Sequence, residues 1–106
     1  MAVKHRDRGE ASPPPPWTFL TNHAKVLVCV AEDPDARLRE IGATVGITER
    51  AAHRIVGELV DAGYVSRERA GRRNRYTVNE QLPMPDPLAR SQKVGDLLGI
   101  LTGAPA

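Results

Sequence analysis

Residues 38–78, "LREIGATVGITERAAHRIVGELVDAGYVSRERAGRRNRYTV", change their hydrophobic period at Gly63. Before this glycine, apolar residues recur at spacings of three and four, which is the period of an amphipathic helix. After it, apolar and polar residues alternate over two short runs, which is the pattern of β-strands. The segment therefore predicts helical structure followed by a β-hairpin, and this order constrains the fold more than any other feature of the chain.

The helical part of this segment divides into two helices at Gly46. The first helix is predicted over residues 38–45. Its apolar spacing predicts that Leu38, Ile41 and Val45 are buried. Gly46 then supplies a turn, because glycine reaches positive φ without a steric penalty.

The second helix is predicted to begin after Thr48, whose hydroxyl can cap the first turn. It reaches about Ala62, and Gly63 is a natural C-terminal cap. The residues that recur at helical spacing along it, and are expected to face inward, are Ala52, Ile55, Val56, Leu59 and Ala62.

The hairpin is predicted from the two strand-like runs on either side of Gly71. Tyr64, Val65 and Tyr76 have strand character and are expected to anchor the hairpin to the core. Gly71 and Asn74 are expected to supply the turn.

The charge of the hairpin is concentrated, since residues 67–75 hold five arginines and a single acid. Alternation along the first strand puts Arg67 and Arg69 on one face. Arg72 and Arg73 are expected at the tip. Guanidinium groups pair well with phosphates and guanine edges, so this composition favours a nucleic-acid partner.

The N-terminal residues 1–16 have little to bury and end in four prolines, so they are predicted to form a disordered arm. A helix then begins at a Thr21 or Asn22 cap and ends before Pro34. The residues that its spacing turns inward are Ala24, Leu27, Val28 and Ala31.

Residues 17–82 are predicted to form one domain, and residues 83–106 a proline-spaced connector with a C-terminal helix. This helix, over about residues 90–101, is expected to lie outside the core. Together with "WTFL" at residues 17–20 it is a candidate dimerisation element, because a chain this short buries only a modest fraction of its surface.

Other functional classes lack their sequence signals. There is no glycine-rich phosphate loop, no Cys and His pair at metal-ligand spacing, and no evident catalytic pair of carboxylates. We therefore expect no enzyme activity, cofactor or metal. A secretory signal and an apolar run of membrane-spanning length are also missing, which predicts a cytoplasmic protein without a membrane partner.

A helix, a short helix, a glycine turn, a helix and a hairpin are, in this order, the plan of a winged helix-turn-helix, a mainly α fold with a small β-hairpin. Residues 20–79 resemble the MarR-like winged helix-turn-helix transcription regulators. The positions that carry the resemblance are Leu38, Ile41, Val45, Gly46, Ile47, Thr48, Ala52, Val56, Leu59, Gly63, Tyr64 and Val65. Gly42 stands where this family usually has alanine, which is expected to loosen the short helix slightly.

The resemblance implies a homodimeric regulator that binds double-stranded DNA. The second helix of the motif, at about residues 48–62, would enter the major groove, and the hairpin, or wing, at about residues 64–78, would contact the backbone or the minor groove. Arg54 first and Arg50 second are expected to read bases, because arginine on guanine is the commonest specific contact. The full set of expected DNA-binding residues is Thr48, Glu49, Arg50, His53, Arg54, Arg67, Arg69, Arg72, Arg73 and Arg75.

Two other functions remain open, namely a protein-interaction module and an architectural DNA-binding protein with little sequence preference. The arginine-rich hairpin favours DNA over protein as the partner. Because the chain is shorter than a typical MarR regulator, no large small-molecule pocket is expected. Within the cytoplasm, a DNA-binding protein is expected to associate with the nucleoid.

Overall fold

The computed structural model describes residues 13–103. Within this range the order of elements confirms the predicted fold class, a winged helix-turn-helix with a two-stranded antiparallel hairpin. The predicted N-terminal arm lies outside the described residues, except for exposed residues 13–16. The bounds are α1 Asn22–Glu32, α2 Leu38–Val45, α3 Glu49–Asp61, β1 Val65–Ala70, β2 Arg73–Val78, a 3-10 helix Pro87–Ala89, and α4 Val94–Thr102.

Threonine caps set the starts of α1 and α3. The Oγ1 atom of Thr21 accepts a hydrogen bond from the Ala24 N–H at 3.1 Å, and that of Thr48 accepts one from the Ala51 N–H at 3.0 Å. Each cap satisfies an N–H group that has no partner within the helix. Since the residue before a proline disfavours helical geometry, α1 ends two residues before Pro34.

The buried face of α1 differs from the predicted one. Its fully buried residues are Val26, Leu27 and Val30, of which only Leu27 belongs to the predicted set, while Val28 and Ala31 of that set are half-buried against the core. The run "VLVCVA" is apolar on every side of the helix, so hydrophobic period alone does not select a face. Packing against α2, α3, α4 and β2 selects it instead.

The short helix α2 packs closely against the turn that leads into α3. Gly42 is buried, and a β-carbon at this position would lie 2.9 Å from the carbonyl oxygen of Ile47 and 3.2 Å from that of Thr48. An alanine here would therefore collide with main-chain atoms. Gly42 permits the close approach of α2 to this turn. Its main structural role is therefore in packing, whereas the sequence predicted only a slight loosening of the helix.

We expect Gly42→Ala to lower the free energy of unfolding by about 1 kcal/mol. Alanine gains about 1 kcal/mol in helix propensity, but overpacking against the fixed carbonyl groups costs about 1–3 kcal/mol. Chemical denaturation followed by circular dichroism measures the change. The matched control is Gly57→Ala in α3, where nothing lies within 4 Å of an added β-carbon. This control is expected to stabilise the protein, and equal stabilisation by both variants would contradict the packing role of Gly42.

The wing turns over two residues, Gly71 and Arg72, which join β1 to β2. Asn74 lies within β2 and pairs with Arg69, so its predicted role in the turn is wrong. A two-residue loop fits the twist of an antiparallel hairpin, and no further turn residue is needed.

The base of the wing is attached to the helices through Val65 and Tyr76, both of which are buried in the core. The main-chain N–H of Tyr76 also donates to the carbonyl oxygen of Pro34 at 2.9 Å, in the loop between α1 and α2. These contacts confirm the predicted anchoring role of Val65 and Tyr76, and half-buried Tyr64 also packs against the core.

The C-terminal helix α4 adds to the core rather than lying outside it. Val94 and Leu98 are buried, and α4 packs against α1. The connector folds back onto this helix, since the N–H of Val94 donates to the Leu82 carbonyl at 2.8 Å and that of Gly95 to the Glu80 carbonyl at 2.9 Å. The helix was expected to lie outside the core. This expectation is corrected, because α1 covers the side of α4 that carries Val94 and Leu98.

Candidate nucleic-acid interface

The helix α3 presents two chemically different faces. Its buried residues are Ala52, Ile55, Val56 and Leu59, which match the predicted inward set except for exposed Ala62 beyond the helix end. The five predicted contact residues of this segment are all exposed: Thr48, Glu49, Arg50, His53 and Arg54. Packing on one side thus leaves a polar, arginine-bearing side for a partner.

Four of these residues share one surface. Thr48, Arg50, His53 and Arg54 line an open depression of about 400 Å³. Within residues 13–103, the side chains of Arg50 and His53 make no hydrogen bond or ion pair, so their donors are available to a ligand. Glu49 instead faces a second cleft on the side of the wing.

Arg54 is held by Glu58, which was not among the predicted site residues. Its Nη1 atom donates to Oε2 of Glu58 at 3.2 Å, while Oε1 of Glu58 lies 2.7 Å from Nε2 of His23 on α1. The hydrogen bond from His23, with that from Arg54 and the charge of Arg54, lowers the pKa of the Glu58 carboxyl. Glu58 is therefore ionised at neutral pH. Its spacing of four residues from Arg54 was a signal for this pair.

The wing arginines are divided between the two faces of the hairpin. Arg67 is directly opposite Tyr76, and Arg69 is directly opposite Asn74. Since opposite residues of an antiparallel pair share a face, both arginines lie on the face that buries Tyr76. Both arginines are nevertheless exposed.

Arg73 and Arg75 lie on the other face, where both contact Asp35 in the loop between α1 and α2. Nη2 of Arg73 donates to the main-chain oxygen of Asp35 at 2.8 Å, and Nη1 of Arg75 is 3.8 Å from Oδ1 of Asp35. These contacts brace β2 against the helices. Arg72 occupies the turn, as expected, whereas Arg73 is the first residue of β2.

A basic cleft of about 390 Å³ separates the wing from the starts of α2 and α3. Arg72 and Arg73 line it on the wing side, and Arg37 and Arg39 line it on the helix side. Arg37 and Arg39 were not among the predicted contact residues, because acids surround them along the chain. Folding brings them to the same cleft as the wing.

An apolar cleft of about 270 Å³ lies on another side of the molecule, among α1, the end of α3, the connector and α4. Leu27, Leu59, Met84 and Leu97 are among its lining residues. This volume is below the range of about 300–1,000 Å³ that is usual for small-molecule sites.

The part of the chain that the structure describes contains no cluster of three or more His, Cys, Asp or Glu side chains that could hold a metal ion. None of the helices in residues 13–103 combines the length and the apolar character needed to cross a membrane.

The arrangement of α2, turn, α3 and wing defines the winged helix-turn-helix class. Residues 20–66 match the sequence profile of a family described as winged helix-turn-helix DNA-binding. The match covers α1, α2, α3 and the start of β1, and it supports DNA as the partner of this segment. No curated protein gives a significant match to the chain.

Proposed function

We propose that the protein is a DNA-binding transcriptional regulator of the MarR-like type, in which α3 enters the major groove of double-stranded DNA. The observation that carries this proposal is the exposed, arginine-bearing face of α3 beside a braced, arginine-rich wing. A helix whose opposite face is buried in the core can present such a face to base edges without losing its packing.

Within this proposal, Arg50 and Arg54 contact bases. They are one helical turn apart, so both side chains leave the helix on the same side. Their guanidinium forks match the O6 and N7 acceptors of guanine, a pattern that only the major groove displays. His53 is assigned to a phosphate or a base acceptor, Thr48 to the helix cap and a phosphate, and Glu49 chiefly to stabilising the positive end of the α3 dipole.

The wing arginines contact the sugar-phosphate backbone or the minor groove. The basic cleft supports this assignment, because Arg37 and Arg39 face Arg72 and Arg73 across it. These four guanidinium groups outnumber the two carboxylates that also line the cleft, those of Asp35 and Glu49, so the cleft beside α3 carries a net positive charge. Such contacts fix the register of the protein on the duplex rather than its sequence preference.

We further propose a homodimer that forms through the segments flanking the winged helix. Trp17, Phe19, Leu88 and Ile100 are the exposed large apolar residues within 13–103, and all lie before α1 or after β2. The rings of Trp17 and Phe19 contact each other edge to face with centroids 5.4 Å apart. Burial of Trp17, Phe19 and Ile100 between two copies would leave α3 and the wing free, whereas Leu88 lies in the connector, outside the proposed interface.

Replacement of Phe19 and Ile100 together by serine is expected to convert the dimer into a monomer. Both side chains are more than three-quarters exposed, at 91% and 78%, so the change removes apolar contact area without disturbing the core. Sedimentation velocity over a concentration series measures the outcome. Leu88→Ser removes an equally exposed side chain from the connector and is the control. A wild-type protein that stays monomeric at high concentration would contradict the proposal.

In vitro selection of binding sites from randomised duplexes, with the purified full chain, tests the proposed function. A regulator is expected to enrich one motif, with two half-sites about 34–36 Å apart if the dimer binds symmetrically. Retention of DNA without enrichment would indicate an architectural protein, and failure to retain DNA would indicate a protein-interaction module. The proposed location, the nucleoid of the cytoplasm, follows from the DNA partner.

A further inference from the structure

The side chain of Arg54 is connected to α1 through Glu58 and His23. An ionised carboxylate only accepts hydrogen bonds, so Nε2 of His23 is the donor in its contact with Glu58. One carboxylate oxygen serves His23 and the other serves Arg54. His23 therefore fixes the carboxylate of Glu58 against α1 while the other oxygen of this carboxylate holds Arg54.

We propose that Glu58 is a positioning residue that raises the sequence specificity of Arg54. This inference rests on the DNA-binding function proposed above. The contact with Glu58 uses one nitrogen of the Arg54 guanidinium fork, and the remaining N–H donors stay available for a base edge. Because Glu58 already restricts the rotamers of Arg54, less conformational entropy is lost when Arg54 binds a base.

The charge of Glu58 has a separate effect, on affinity rather than on specificity. A carboxylate beside the groove repels phosphates in every duplex, whatever its sequence. This repulsion lowers the affinity for the right site and for wrong sites by a similar factor. The effect of Glu58 on specificity therefore comes from its positioning of Arg54 and not from its charge alone.

The proposed role of Glu58 in specificity does not depend on a contribution of Glu58 to the stability of the fold. The side chains of Arg54 and Glu58 are 61% and 48% exposed, and exposed ion pairs contribute little to folding. Substitution of Glu58 is therefore expected to leave the thermal unfolding midpoint within a degree or two. Any change in specificity can then be assigned to the interface.

The test compares wild type with Glu58→Gln on two duplexes at the same salt concentration, the motif recovered by selection and a scrambled duplex of equal length. We expect the affinity for the scrambled duplex to rise about twofold, because one negative charge near the phosphates is removed. We expect the specificity ratio, which is the affinity for the motif divided by the affinity for the scrambled duplex, to fall by about fivefold. A simple loss of structure would lower both affinities together.

Three further variants isolate the contact with Arg54. Asp61→Asn removes the same charge from the last turn of α3, where the structure gives Asp61 no side-chain partner in the described range, and should leave the ratio unchanged. His23→Ala should lower the ratio in the same direction as Glu58→Gln. In an Arg54→Ala background, Glu58→Gln should no longer change the ratio, because the side chain that it positions is absent.

The outcomes separate this inference from the function on which it rests. A wild-type protein that does not distinguish the two duplexes would overturn both. A wild-type protein that distinguishes them, with a ratio that Glu58→Gln leaves unchanged or raises, would overturn only the positioning role. An equal effect of Glu58→Gln with and without Arg54 would also overturn it.

Discussion

Replacement of Arg72 and Arg73 by alanine is expected to weaken binding to every DNA duplex by roughly thirtyfold at about 0.15 M salt. Each phosphate contact releases condensed counterions and contributes about fivefold at this salt concentration. Both side chains line the basic cleft, and Arg73 is already directed there by its bond to Asp35. The slope of log affinity against log salt should become shallower by about 1.8. Fluorescence anisotropy over a salt series measures both quantities.

Two controls accompany this variant. Replacement of Arg72 and Arg73 by lysine keeps both charges and should keep most of the salt dependence, because counterion release depends on charge rather than on the fork. Arg90→Ala removes an exposed arginine from the connector and should leave the slope unchanged. If the double alanine variant altered the preferred motif while keeping the slope, the wing would be reading bases and its assignment would be wrong.

Arg54→Ala is expected to relax the preference for one base position at a cost of about 1–3 kcal/mol in binding to the selected motif. The reason is that a small side chain leaves the O6 and N7 acceptors of guanine without donors. Competition binding against the selected motif and its single-base variants measures the effect. Affinity for a scrambled duplex should change much less than affinity for the motif.

Arg54→Lys separates charge from geometry in the same assay. Lysine retains the positive charge but lacks the planar fork, so it should keep the affinity for the scrambled duplex and still lose part of the base preference. A protein in which Arg54→Ala changes neither affinity nor motif would show that the exposed face of α3 has been assigned wrongly.

The local features of the fold could be predicted because they depend on neighbours in the chain. The Thr48 cap, the bounds of α2 and the inward face of α3 follow from hydroxyl chemistry and helical spacing. The buried face of α1 could not be predicted, since Val26 and Val30 lie in a run that is apolar on all sides. The close contact at Gly42 was also missed, because it depends on where the next turn passes.

The candidate site likewise combines features that could be predicted from the sequence with features that could not. The exposure of Arg50 and Arg54 follows from the inward face of α3, which the spacing predicts. The contacts of Asp35 with Arg73 and Arg75 join residues 38 and 40 positions apart, and no local pattern indicates them. His23 and Glu58 are likewise distant in the chain. Such pairs require the packed structure, because tertiary contacts alone bring them together.

The most direct test of the central claim is the ratio of the dissociation constants for a scrambled duplex and for the selected motif, measured at one salt concentration. A regulator that reads sequence through α3 and holds the backbone through its wing is expected to give a ratio of about 10³ or more. A ratio close to one, with tight binding to both duplexes, would contradict sequence reading by α3.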